Sequence, residues 1–211
     1  MITIYGVARS RASRPMWLLA EIGQPYHHIP VIQAYRLPDP TAENAPLHTA
    51  SAAYLGINPQ GQIPCMTDGD LTLTESLAIT TYLATRYGGP LGPQTDAEAA
   101  LIAQWTLHAV SAIETPALDI LQHPDDPQII ARASAALHRP MARLEGHLAG
   151  RAYLVADRFT VADINVAETL RYSQGATSLW AAFPALSAWI ARLQARPAFQ
   201  TMWARRLAEP A

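Results

Sequence analysis

The chain has a single cysteine, Cys65, among 211 residues, so no disulfide can form within it. That suits a reducing compartment, and a cytoplasmic protein is expected. There is no Cys-x-x-Cys pair, which removes the usual dithiol redox arrangement. Only 15% of the residues are charged, the formal net charge is −2, and the basic residues form no run. Nucleic-acid binding therefore has no electrostatic footprint. No apolar stretch is long enough to span a bilayer, and Met1 leads straight into a strand-like segment, so neither a membrane helix nor a signal peptide is expected. Metal-ligand spacings, phosphate loops, dinucleotide fingerprints and repeats are missing too. His27 and His28 are neighbours on a strand-like run, where they would face opposite sides and could not share one metal.

What is present is apolar: 50% of the residues are hydrophobic. That supports a sizeable core, and the length allows one large domain or two small ones. Met1 to Val7 alternates loosely, as a buried strand does. A helix is expected from about Arg14 to Ile22, with Ser13 as N-cap, Pro15 in the first turn and Gly23 as the stop. Tyr26 to Ile32 reads as a second strand. Tyr35 to Leu55, broken by Pro38, Pro40 and Pro46, reads as a long loop of the kind that is functional or mobile.

The stretch Asn58 to Tyr87 carries the densest signal. A turn leads to a strand, Asp68-Gly69 supplies hairpin chemistry, and Glu75-Ser76 opens a helix that ends at Gly88-Gly89-Pro90. Pro64 opens its strand either as a cis bond or as a trans edge proline. Glu75 and Ser76 are either plain caps or part of a carboxylate site at a helix N-terminus. Beyond Gly92-Pro93 the pattern is helical throughout: Asp96 to about Gln122, a break at His123 to Pro127, then a helix to about Leu148 that Pro140 should kink. Thr160-Val161-Ala162-Asp163 is a capping box, with Phe159 and Ile164 placed as a staple.

In order, Asn58, Pro59, Gly61, Ile63, Pro64, Glu75, Ser76, Ala78, Ile79, Tyr82 and Leu83 match a recurring pattern of the glutathione transferase family, which this chain resembles. Tyr153 to Asp157 and the Thr160 box match the family's lead-in to a core helix, with Ala156 standing where glycine is frequent. Phe183-Pro184, Leu186, Trp189 and Arg196-Pro197 complete the likeness over nearly the whole chain.

The resemblance implies a thioredoxin-like α/β domain over residues 1–88 and an all-α helical domain over 95–211. It implies an enzyme that activates the thiol of glutathione as thiolate for attack on small apolar electrophiles. Glutathione is then a co-substrate, and no cofactor or metal is expected. A homodimer is implied, with the helices after Glu75 and Asp96 at the interface, and neither nucleic acid nor membrane as partner. Ser10, four residues before Arg14, stands where the serine classes keep the activating hydroxyl; Ser13 and Tyr5 are competitors. Glutathione would be held by Gln62, the Ile63 backbone beside Pro64, Glu75 on the ammonium and Ser76 on the γ-glutamyl carboxylate. Gln62 replaces a frequent lysine. The electrophile is assigned to Ala8, His108 and Ser111. A glutathione-dependent isomerase, disulfide reductase or dehalogenase, or a non-catalytic binding protein, are the alternatives on the same scaffold.

Overall fold

In a computed structural model that describes residues 1–209, the elements run β1 (Ile2–Tyr5), α1 (Ser13–Ile22), β2 (His27–Ile29), α2 (Ala52–Leu55), β3 (Cys65–Asp68), β4 (Leu71–Leu73), α3 (Ser76–Tyr87), α4 (Asp96–His108), α5 (Thr115–Gln122), α6 (Pro127–Leu148), α7 (Val161–Leu170), α8 (Thr177–Trp180), α9 (Pro184–Gln194) and α10 (Pro197–Ala208). Two compact units result: Met1–Gly88 with the segment from Pro197 onward, and Gly89–Arg196.

The first unit is built on a four-stranded sheet in the order β2-β1-β3-β4. β1 pairs in parallel with β2, and antiparallel pairing joins β1 to β3 and β3 to β4. This is the expected thioredoxin-like arrangement. Ile2 and Ile4 alternate into the core, while Tyr5 faces the other way toward Tyr54, 6.3 Å between ring centroids. Helices α1 and α3 pack against one another, and α10 packs on α1. Gly23 takes the left-handed stop of α1 at φ 65°.

Three expectations change. The cap of α1 falls on Ala12, not Ser13, which is buried in the first helical turn. The reason is local: the Ser10 hydroxyl already accepts the Ala12 N–H at 3.0 Å, one step earlier in the chain. The Tyr35–Leu55 segment is anchored rather than loose. Ile32 bridges His48, and Tyr54 is buried with Val31 and Cys65 under the sheet. Third, α10 clusters with the first unit, because its buried Phe199 meets Trp17 of α1 edge-on at 5.0 Å.

The second unit is helical. α4 passes through a π-helical turn, Ala109–Glu114, into α5. α6 runs unbroken through a buried Pro140. α7 is buried along its whole length and carries the expected capping box in full. Asp163 accepts the Thr160 N–H at 2.9 Å on one oxygen, and the Leu154 N–H at 3.0 Å and the Trp189 Nε1–H at 3.1 Å on the other. Burial nonetheless pushes its carboxyl up to about 6. Among the described residues no helix is long and apolar enough to cross a membrane, and no group of three His, Cys, Asp or Glu is placed to hold a metal.

Candidate functional site

The first unit brings the Asn58 turn, the start of β3 and the head of α3 into one unit with the loop after β1. Asn58 builds its own turn: Oδ1 accepts the Gln60 N–H at 3.1 Å and Nδ2 donates to the Gln62 carbonyl at 2.7 Å. Tyr54 donates its hydroxyl to the same carbonyl at 2.5 Å, and burial pushes that phenol up to about 12. Gly61 sits at φ 61°, and a Cβ there would lie 2.8 Å from the Thr49 carbonyl oxygen, so the turn admits only glycine. The Ile63–Pro64 bond is cis. Ile63 is half-buried, Pro64 is buried, and the Gln62 side chain is exposed.

At the head of α3, Glu75 is held at φ 65°, a left-handed conformation rare for a side chain of its kind. Its exposed carboxylate makes no capping bond. Plain capping therefore does not account for it. Ser76 is 5% exposed and its Oγ accepts from Arg14 Nη1 at 2.9 Å. That bond uses an oxygen lone pair and leaves the hydroxyl proton available. The first intrahelical bond of α3 is Ile79 N–H to the Glu75 carbonyl, so the N–H groups of Ser76, Leu77 and Ala78 precede the ladder.

The Ser10 hydroxyl is engaged in its own turn: it donates to the Val7 carbonyl at 2.7 Å and accepts from Ala12. This loop is gripped from the chain's other end. The Glu209 carboxylate accepts the N–H groups of Ala8 and Arg9, both at 2.8 Å. Arg206 donates to the Ala8 carbonyl at 2.7 Å, and its own carbonyl accepts from Arg9 Nε at 3.1 Å. Sequence reasoning missed this grip, as it missed the bond from Arg14 to Ser76. No local pattern announces either.

Of the residues assigned to an electrophile, Ala8 is fully buried in the first unit, and its backbone N–H and carbonyl are already engaged by Glu209 and Arg206. His108 and Ser111 belong to the second unit. Ser111 is exposed on the π-helical turn, a distortion common at functional sites. His108 lies edge-on to Trp105 at 5.8 Å, and burial, then the nearby Arg143 cation, holds its pKa below the ordinary value. Cys65 is buried, and burial raises its thiol pKa, which removes it as a nucleophile.

Comparison with known proteins matches this arrangement to a family. Residues 9–86 match the glutathione S-transferase N-terminal domain, and residues 127–192 match the glutathione S-transferase C-terminal domain. Glutathione S-transferase 3 of Zea mays is 35% identical over 70% of this chain and 72% of its own. The theta class enzyme of the citrus canker pathogen Xanthomonas axonopodis pv. citri, solved with glutathione bound, is 30% identical at a TM-score of 0.75, covering 95% of each chain. Glutathione transferase F7 from Populus trichocarpa superposes with a TM-score of 0.82 at 25% identity, over 98% of this chain and 99% of that one. The chain belongs to the glutathione S-transferase family.

Proposed function

We propose that the protein transfers glutathione to small apolar electrophiles, holding the tripeptide on its first unit and activating the thiol through Ser10. The observation that carries this reading is the head of α3: a Glu75 carboxylate spent on no cap, set at φ 65° beside a Ser76 hydroxyl braced by Arg14. An ammonium and a carboxylate one carbon apart fit that pair, the ammonium on Glu75 and the carboxylate on the Ser76 hydroxyl and the N–H groups behind it. The Ile63 backbone beside cis Pro64 is assigned to the cysteinyl part, and Gln62 to the glycyl carboxylate.

Activation is a matter of preferential binding of the thiolate. A free thiol titrates near about pH 8.5, and each unit of lowering needs about 1.4 kcal/mol. Ser10 must turn its proton from the Val7 carbonyl to the sulfur. It gives up a neutral bond of roughly 0.5–1.5 kcal/mol for a charge-assisted one of roughly 1.5–3 kcal/mol. The positive end of α1 adds about 0.3–1 kcal/mol. The balance is about 2 kcal/mol, which sets the bound thiol near about pH 7.

Two further elements belong to the reading. The exposed apolar strip Ala100, Ala103, Leu107 and Val110 recurs at helical spacing from α4 into the π-helical turn and supports pairing of two copies. The lone buried thiol is consistent with cytoplasmic residence. Calorimetric titration with glutathione, followed by a turnover screen over activated aromatics, disulfides and maleyl-type substrates, tests the function. Binding at micromolar to low-millimolar strength with aryl transfer supports it. Folded protein that gives no heat at several millimolar contradicts it.

A further inference from the structure

Both nitrogens of the His28 ring are occupied, and only a neutral ring satisfies both partners. On β2, Nε2 lies 2.6 Å from the Gly6 carbonyl, so that nitrogen carries the proton. Nδ1 meets Arg205 Nη2 of α10, a group that only donates, so Nδ1 is the acceptor. Arg205 Nη1 donates in turn to the Tyr26 hydroxyl at 3.2 Å. A second proton on the ring would set N–H against N–H and cation against cation.

Arg205 stands beside the residues that grip the loop after β1. Arg206 and Glu209 follow it in the chain and hold Ala8 and Arg9 by their backbone groups. Apolar packing does not secure this end of α10. The buried residues of the helix are Phe199 and Met202, and Phe199 meets Trp17. Beyond Met202 no described residue is buried, and Leu207 is 61% exposed. The last turn is therefore kept by polar contacts, and such ends open locally without global unfolding.

A cavity of about 340 Å³ opens beside the pair, walled by Val7, Pro30 and Ile32. Arg205 and Glu209 line it from the end of α10, and Arg36 from the segment after β2. The loop after β1 offers the uncharged Gly6 carbonyl, and His27 and Tyr26 are the neighbours on the strand itself. Glu209 is the one carboxylate of that lining, and it sits on the Ala8 and Arg9 N–H groups. Burial, with Arg205 and His27 adding to it, holds the His28 value below the ordinary one, against the Gly6 carbonyl and Glu209, which act the other way. A ring clear of Arg205 and open to water returns toward about 6.5. The gripped state thus loses ground to the released state as pH falls below that value.

We propose that His28 is a positioning residue for the Ser10 loop that acts through Arg205 as a pH switch. Neutral His28 holds Arg205, and the end of α10 grips the loop. Protonated His28 expels Arg205. Glu209, the carboxylate at hand, turns to the new cation and leaves the Ala8 and Arg9 N–H groups. The release stands on the first unit alone, and its effect on turnover rests on the transferase reading.

The test is amide hydrogen exchange of the full-length protein by NMR between about pH 7.5 and 5.5, expressed as protection relative to the free peptide rate. Ala8 and Arg9 report the grip, and Ile4 of the central strand reports global opening. Wild-type protection at Ala8 and Arg9 should be level above about pH 6.5 and fall below it by up to about tenfold per unit, while Ile4 holds. The His28 ring signals should titrate over the same range. His28→Gln, whose amide offers a donor and an acceptor without titrating, and Arg205→Gln, which can accept as well as donate, should both give level profiles. If either variant disturbs the loop at every pH, the wild-type ring titration decides. A level wild-type profile, a fall that His28 does not accompany, the same fall in both variants, or a parallel fall at Ile4 would each overturn the proposal. Steady-state kinetics then reads the consequence: below about pH 6.5 the wild-type kcat should drop beneath that of His28→Gln. Released amides with no such drop would uphold the switch and count instead against Ser10.

Discussion

Arg14 donates Nη1–H to Ser76 Oγ at 2.9 Å, tying the head of α1 to the head of α3 across 62 residues of sequence. Both side chains are buried, Arg14 to 1% and Ser76 to 5% exposure. The serine oxygen is thereby held by the guanidinium, and its hydroxyl proton remains available for donation. Ser76→Ala removes that donor and also an acceptor of a buried guanidinium. Glutathione affinity should fall about tenfold to a hundredfold, the worth of one charge-assisted bond, and the fold should lose about 1–3 kcal/mol for the orphaned N–H. Calorimetry and denaturant unfolding read the two effects separately.

Glu209 closes on the Ala8 and Arg9 N–H groups at 2.8 Å each, and so sets the loop from which Ser10 projects. Glu209→Ala loosens that loop, leaving only the Arg206 contacts to hold it. The expected outcome is a fall in kcat of about tenfold, the scale of a catalytic group held less well, with the unfolding midpoint nearly unchanged. Steady-state kinetics beside a thermal melt checks it. An unaltered kcat removes the C-terminal segment from any positioning role.

Ala156 occupies φ 57° in the loop before the capping box. An alanine pays about 1–2 kcal/mol for that region, of which glycine's extra unfolded-state freedom takes back a part. Ala156→Gly should therefore stabilise the protein by about 0.5–1 kcal/mol, seen as a higher urea midpoint at unchanged m.

Burial holds His28, His108 and His147 below the ordinary histidine value, with cationic neighbours adding to it: Arg205 at His28, Arg143 at His108, Arg151 and Arg143 at His147. The folded chain thus binds fewer protons at these sites than the unfolded chain. Their contribution is complete above about pH 6.5 and is lost as pH falls through the lowered folded values. Asp163, pushed up to about 6, works the other way, since its folded carboxyl keeps a proton that the unfolded one releases. The informative quantity is a difference. Between about pH 7.5 and 5.5 the wild type should lose more stability than a His28→Gln, His108→Gln, His147→Gln variant. Parallel profiles contradict the assignment.

What was legible in the sequence was local. Asn58 satisfies its own turn, Gly61 has no room for a Cβ, and Thr160 and Asp163 close a box four residues long. Each states its structure within a few positions. The misreading of Ser13 as the cap was also local, a contest between two serines that the Ser10 hydroxyl wins. What sequence could not show was long-range. Glu209 reaches Ala8 over 201 positions, and Arg14 reaches Ser76 over 62. Nothing in the spacing of Tyr35–Leu55 announced that Tyr54 would be buried beneath the sheet, since one aromatic anchor has no period. The contact of His28 with Arg205 escaped notice because 177 positions separate the two.

The most direct measurement is the ultraviolet absorbance of the bound glutathione thiolate against pH, in the wild type and in Ser10→Ala. The wild-type complex should titrate near about pH 7 and the variant about one unit higher, with glutathione still bound. A bound thiol that titrates near its free value of about 8.5 in the wild type, or identical curves for the two proteins, would contradict thiol activation by Ser10.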